Sequence, residues 1–464
     1  MGRPDAGLHM ARVRTTRRAR SKGGVAPNGA TATIVAPAPE LMADSTAYLD
    51  ERVPAVESAE ASEPPKAEAN RLLESGDEAG TPPGDRKFRP DVEGLRAVAI
   101  LLVVLFHVGV PWLTGGFVGV DVFFVLSGFV ITGLLLREHA VSGRTRLLSF
   151  YGRRSRRILP AATLVIIATV FAAYHWLGFL TGNDTARVGR SASLFYANFY
   201  FIHTGTNYLA SQAPPSALQN YWSLSVEEQF YVVYPTLFIL TSWLGRRIDL
   251  KFRLMAVLAC GVVASFAWSV HQTSTSQIAA FFSPFTRAWE LALGALVAVA
   301  SPQLARLPRT VAMTMSWVGL AGIATAAVAY SSTTPYPGVA ALLPVLATAL
   351  VVAAGAAQPQ FGAEILLRGP PFQWMGKLSY SLYLWHWPIL ILATQYAGHP
   401  LSVGDNLLWV LAALGLSIVT FFALENPIRH SRFFSRSGIR SVLLGGVLIG
   451  LSIGLLTFEI VSHT

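Results

Sequence analysis

The sequence predicts an all-α, polytopic membrane helical bundle, and three observations carry that prediction. Hydrophobic residues make up 52% of the 464-residue chain and charged residues only 13%, about half of the ~25% charged share of soluble domains. Eleven apolar segments recur between residues 94 and 460, most of them near the ~20 residues that a helix needs to cross hydrocarbon. Lysine and arginine gather in alternate connections between those segments, the pattern of the positive-inside rule. The net charge of +10 is therefore read as topogenic, with the bilayer as partner and no nucleic acid expected.

Residues 1–87 are a different material. They are rich in Ala, Pro, Gly, Ser and Glu, contain no apolar run long enough to bury, and read as a disordered cytoplasmic tail. Basic residues from Arg3 to Lys22 precede an acidic stretch from Glu40 to Glu78. No apolar h-region follows the arginines, which argues against a secretory signal peptide. A solvated tail is the simpler reading, and a membrane-surface or regulatory role is the alternative.

The predicted spans are 94–113, 117–136, 158–180, 222–243, 254–271, 285–300, 311–331, 338–357, 375–397, 406–424 and 441–460. A twelfth, shorter candidate is 191–203, which holds Asn198 and His203. If it does not cross, nearly every basic residue of the connections falls on the side of the N-terminus, and the other side keeps only Arg187 and Arg190. We therefore expect an in-plane or re-entrant segment there, a cytoplasmic N-terminus, and Thr464 outside. The one cysteine, Cys260, lies in a predicted span, has no metal-ligand spacing around it, and reads as a small core residue.

Span one carries the most informative pair. Arg96 and His107 are eleven residues apart, just over three helical turns, so they share a face about 16 Å apart along the axis. Ionisable groups within a span are costly, and two on one face point to a functional site. Spans one and two form a hairpin about Pro111, Gly115 and Gly116. His107 and Asp121 lie seven residues to either side of Thr114, which predicts equal depth. A carboxylate beside an imidazole would fix its tautomer and raise its basicity, as a general base requires. The structural alternative is a hydrogen bond that satisfies two buried polar groups.

Further along, Arg153, Arg154, Arg156 and Arg157 stand at a helix start. They either hold the loop in the cytoplasm or form a phosphate-binding surface, and the two readings are compatible. Ser223 and Ser225 followed by Glu227 and Glu228 look like a helix N-terminus, with one glutamate free to line the external entrance. Arg287 and Glu290, at i and i+3, predict an intramembrane ion pair, with sugar or anion contact as the alternative. His386 lies mid-membrane among aromatics, as a packing or a catalytic histidine. Glu425 ends the tenth span at the depth of Arg96, which suggests an ion pair between them. No P-loop, His-Glu-x-x-His or Gly-x-Ser-x-Gly motif occurs in the sequence, and no metal is expected.

Taken in order, these motifs resemble the membrane acyltransferase-3 family, the O-acetylases of cell-surface polysaccharides. The resemblance covers about residues 88–430. It rests on Arg-x10-His (Arg96, His107), FVGVDVFFVLSG (117–128), the Arg-x-Arg element (Arg154, Arg156), WSLSVEEQFY (222–231), Arg-x-Trp-Glu-Leu (287–291), SYSLYLWH (379–386) and Glu425-Asn-Pro. It implies a ten-helix acyltransferase domain over 88–430, with 431–464 as an extra, eleventh helix and a short external end.

The resemblance also implies transfer of an acyl group, usually acetyl, from cytoplasmic acyl-CoA to a hydroxyl of a glycan or glycolipid outside. Arg96 and His107 are regarded as catalytic in the family, and the Arg-x-Arg element as a contact for the donor. Many relatives continue from the eleventh helix into an external SGNH hydrolase-like domain. This chain stops four residues after that helix, so a separate SGNH-type partner is one expectation. Arg153, Arg154, Arg156 and Arg157 would hold the nucleotide phosphates of acyl-CoA, and His107, oriented by Asp121, would deprotonate the acceptor or carry the acyl group. Two alternatives stay open: acylation of a small secondary metabolite such as a macrolide, and a glycolipid transporter with no chemistry.

Overall fold

The computed structural model describes residues 89–462, apart from 207, 210–213, 245–246 and 360; the predicted tail, 1–87, lies outside the described residues. Helix is the only regular structure among them. The first three spans are α1 (Pro90–Val108), α2 (Gly119–Ser142) and α3 (Leu147–Leu177). Two shorter helices, α4 (Phe179–Ser193) and α5 (Ala197–His203), precede α6 (Tyr221–Trp243). α7 (Leu250–Thr275) and the short α8 (Gln277–Phe282) lead to α9 (Pro284–Leu304), α10 (Arg309–Ala329) and α11 (Leu342–Ala356). A single turn, α12 (Glu364–Leu367), comes before α13 (Pro370–Ala397) and α14 (Val403–Thr420). The chain closes with α15 (Asn426–Arg429), α16 (Arg432–Ser435) and α17 (Gly438–Ser462).

A helix lies over each of the eleven predicted spans, with ends that differ from the predicted bounds by up to eleven residues. By length and composition alone, α2, α3, α7, α10, α14 and α17 qualify as membrane-crossing. Of the other five, α1, α6, α9 and α13 carry ionisable or polar side chains within their apolar stretch, and α11 has only 15 residues. Among the six, α2 and α3 are mostly buried in the bundle, and the others are mostly exposed. α7, α14 and α17 lie at the periphery and expose apolar side chains such as Val263, Leu408, Val419 and Val447. Cys260 is among the exposed residues of α7, not in the core as expected, because that face of the helix is not covered by the described residues.

α1 sits at the centre, against α2 and α13, with Leu95, Ala97, Ala99 and Ile100 fully buried. Its register against α2 is set by backbone approach. A Cβ on Gly116 would come within 2.4 Å of the Leu102 carbonyl oxygen, and one on Gly119 within 2.4 Å of that of Ala99. α2 therefore starts well below the end of α1. The chain turns at Gly109 (φ +87°) and descends before α2 begins. The same spacing puts Asp121 level with Ala97, about 15 Å along α1 from His107. α2 meets α9 through a reciprocal contact: Gly128 backs onto the Leu291 carbonyl and Gly294 onto that of Val125.

Residues 191–203 do not form a spanning helix. Gly178 (φ +82°) turns the chain back, so that α4 runs down along α3, with Gly182 against Tyr174 and Gly189 against Ile166. At the bottom, Gln229 donates to the Phe195 carbonyl at 2.8 Å and to Asn198 Oδ1 at 2.9 Å. Gln229 is two turns inside α6, so the segment dips into the bundle. The chain then returns through the seven residues of α5, too few to cross.

The α2–α9 contact yields a prediction. In Gly128→Val the added carbons meet backbone that cannot swing aside, since a Cβ there would lie 1.8 Å from the Leu291 oxygen. Overpacking of this kind costs at least about 1–3 kcal/mol. The variant should show a lowered thermal midpoint in detergent, whereas Gly446→Val, at a glycine with open space around it, should not.

Candidate active site

Two clusters of polar side chains lie toward opposite ends of α1. At the far end, His107 Nδ1 is 3.1 Å from His386 Nε2, and His107 Nε2 is 2.9 Å from the Tyr208 hydroxyl. His386 Nδ1 is 3.0 Å from the carbonyl oxygen of Leu382, one turn back in α13. Trp387 meets His107 edge to face at 4.5 Å between ring centres. His386 is fully buried and His107 half-buried, so the pair is walled on the α13 side and partly open at His107. Tyr208 was not legible as a site residue. It lies in the irregular stretch between α5 and α6, where neither periodicity nor spacing fixes a direction.

Asp121 does not reach His107. It pairs with Arg287, whose Nη1 is 3.0 Å from Asp121 Oδ1 and 3.0 Å from Glu290 Oε1. The expected Arg287–Glu290 pair is thus present, with Asp121 as a third member. All three side chains are essentially inaccessible to solvent. Arg287 Nε also donates to the Phe281 carbonyl at 3.2 Å, and its guanidinium lies within 5.6 Å of the rings of Trp222, Phe281 and Tyr336. Phe281 stacks on Tyr208 at 4.7 Å. The triad therefore supports the aromatic floor on which Tyr208 rests, and touches no imidazole itself.

At the near end, the four arginines of α3 part company. Arg153 bridges to Glu138 of α2 at 3.1 Å. Arg156 is buried and donates to Ser441 of α17 at 3.1 Å. Arg154 and Arg157 point instead toward the centre. Arg154 lies 3.9 Å over the ring of Tyr231, and Arg157 is close enough to Arg96, Arg154, Arg429 and Glu425 to feel their charges. At ~100° per residue, 154 and 157 project within about 60° of each other, while 156 faces away from 154. The surface of four expected from the sequence is in fact two inward arginines joined by Arg96.

Glu227 and Glu228 face this basic cluster, not the opposite mouth expected for one of them. Tyr231 and Ser127 both donate to Glu227 Oε1, Ser127 at 2.5 Å. Glu228 Oε1 has no hydrogen-bond partner among the described residues. The expected Arg96–Glu425 ion pair is not formed. Arg96 is 3.5 Å from Glu93, and Glu425 Oε2 accepts from Ser381 at 2.7 Å. Glu425 turns inward because the helix runs through a π turn over Phe421–Glu425, where the Asn426 N–H bonds back to the Phe421 carbonyl and Pro427 has no N–H to give. Between the two clusters lie Tyr383 and Ser223, joined at 2.6 Å.

A sequence model described as an acyltransferase domain (Acyl_transf_3) matches residues 89–425. The chain belongs to this acyltransferase family. It is 31% identical over 397 residues to YrhL of Bacillus subtilis, provisionally named a peptidoglycan O-acetyltransferase, covering 81% of this chain and 61% of that protein. It is 30% identical to the peptidoglycan O-acetyltransferase OatA of Listeria monocytogenes, over 75% of this chain and 57% of the relative. The O-acetyltransferase OatA of Staphylococcus aureus is 27% identical, with 75% and 58% covered. The chain thus spans about three fifths of the length of these relatives. No solved structure matches it. The family match spans all thirteen candidate residues, from Arg96 to Glu425.

The triad makes a second prediction. Arg287→Leu leaves two buried carboxylates without their cation, a loss of about 3–5 kcal/mol when one partner of a buried pair is removed. The thermal midpoint should fall sharply, and adding Asp121→Asn and Glu290→Gln to Arg287→Leu should restore part of it. An unchanged midpoint for the single variant would remove the triad from any structural role.

Proposed function

We propose that the protein is an integral-membrane O-acyltransferase that moves an acetyl group from cytoplasmic acetyl-CoA to a hydroxyl of an envelope glycan on the outer side. The single observation that carries this reading is the distribution of chemistry along α1. A cationic cluster surrounds Arg96, and a hydrogen-bonded imidazole sits about 16 Å away on the same helix. The names of the relatives favour acetyl as the group and peptidoglycan as the acceptor.

The basic connections argue that the arginine end faces the cytoplasm, with the N-terminus on that side and Thr464 on the other. Arg154 and Arg157, with Arg96, would take the phosphates of the donor, where planar guanidinium groups suit phosphate oxygens. A long, thin pantetheine arm would reach past Tyr383 toward His107. There the acceptor oxygen attacks the thioester carbonyl, its proton passes to His107 Nε2, and the carbon–sulfur bond breaks. The thiolate released then takes that proton, so that an ester and a free thiol are formed and the imidazole is restored. Glu227 and Glu228 set the charge of the basic cluster, and Tyr208 occupies the position from which a hydroxyl approaches His107.

Three variants test the reading in membranes supplied with labelled acetyl-CoA. His107→Ala should abolish label transfer while the protein remains folded and inserted; full activity would remove His107 from the chemistry. Arg154→Ala combined with Arg157→Ala should raise the half-saturating acetyl-CoA concentration about tenfold or more, since hydrogen bonds to charged groups contribute about 1.5–3 kcal/mol each. Arg153→Ala combined with Arg156→Ala should leave that concentration nearly unchanged. Equal effects of the two pairs would reduce all four arginines to topological signals.

A further inference from the structure

We propose that His386 is the positioning residue of the base, holding His107 in one tautomer and sharing the positive charge that forms on it. The proposal rests on the reading of His107 as general base and adds a role for a second histidine. One atom in the chain of contacts has a fixed role. A carbonyl oxygen can only accept, so His386 Nδ1, 3.0 Å from the Leu382 oxygen, carries a hydrogen. In a neutral imidazole the other nitrogen is then a lone pair, so His386 Nε2 accepts.

Its neighbour at 3.1 Å, His107 Nδ1, must therefore be the donor. This leaves His107 Nε2 with its lone pair directed at the Tyr208 hydroxyl, 2.9 Å away. Every link runs in one direction, from Tyr208 through His107 and His386 to the backbone of α13. The other assignment needs a doubly protonated His386. Fully buried, it would have no carboxylate touching either imidazole among the described residues. The groups around the pair are Tyr208, Tyr383 and Trp387, none of them charged. The Asp121–Arg287–Glu290 triad comes near only through Phe281, which stacks on Tyr208.

His386 thus takes the place that the sequence suggests for Asp121, with a neutral group in place of an anion. A carboxylate at this depth would need its own cation; an imidazole does not. When the acceptor proton reaches His107 Nε2, the hydrogen between the two rings lets the charge spread onto His386. Both rings return to neutrality when the thiolate takes the proton. His386 touches neither donor nor acceptor, so its effect should appear in turnover and not in donor binding.

The test compares His386→Gln, whose Oε1 reaches the position of Nε2 and can accept from His107, with His386→Asn and His386→Ala, which cannot. Rates of label transfer from acetyl-CoA to envelope glycan are measured in membranes at saturating donor, with the half-saturating concentration alongside. Size-exclusion profiles in detergent confirm that each variant is folded. We expect His386→Ala and His386→Asn to lose about 10²–10⁴-fold in rate, as for loss of assistance to a general base. His386→Gln should recover at least about tenfold of that loss, and the half-saturating concentration should stay within about twofold. Equal losses in the Gln and Asn variants, or a loss through donor affinity alone, would reduce His386 to packing and overturn the proposal. His107→Ala is run in parallel: if it stays active, the base itself is misassigned; if it is dead while His386→Ala stays active, only the relay falls.

Discussion

The arrangement depends on one constraint: each ionisable side chain inside an apolar bundle must find another polar group there. Arg287 meets it most completely, bridging Asp121 of α2 and Glu290 of α9 while its flat guanidinium packs among three aromatic rings. From that point the contacts run outward to the site. Phe281 lies against Arg287 and stacks on Tyr208, and Tyr208 meets His107. The histidine pair is therefore held by elements that the triad fixes, although no charged group of the triad touches it. The helices that carry these groups pack against each other, and the apolar helices α7, α14 and α17 are left to face lipid.

α1 gives the second constraint, a fixed length. Arg96 and His107 are separated by a buried helical stretch whose backbone cannot shorten, and α2 and α13 pack along it. Under the proposed function, a donor held at the arginine end would have to be long to present its acyl group at the imidazole. The same rigidity explains why backbone approach through Gly116, Gly119 and Gly128 matters. Those contacts decide which side chains of α2 come level with which of α1, and so which polar groups can meet.

The sequence displayed the spans well, because hydropathy and charge asymmetry are properties of each segment alone. The Arg287–Glu290 pair was legible for a similar reason, being set by helical spacing within α9. What escaped was tertiary. The symmetric hairpin placed Asp121 beside His107, but the descent after Gly109 shifts the register by about ten residues, and a histidine from α13 fills the vacancy. Helical projection could have divided Arg154 and Arg157 from Arg156, since that needs only the angle per residue. Glu425 follows a π turn, and Tyr208 an irregular connection; neither leaves a period to read. Which ionisable residues lie inside the bundle was visible in the sequence, but which residue touches which was not.

The proposed function requires donor and acceptor to work from opposite faces, one at the arginine end and the other at the histidine end. The most direct measurement reconstitutes the protein in sealed vesicles, with orientation determined by protease access to the N-terminal tail. Labelled acetyl-CoA is added on one face only, and a membrane-impermeant muropeptide acceptor on the other. Label is expected on the acceptor when the donor is on the face of residues 137–157 and the acceptor on the face of His107, and none in the reverse arrangement. Transfer only when both substrates share one face would contradict the proposed function.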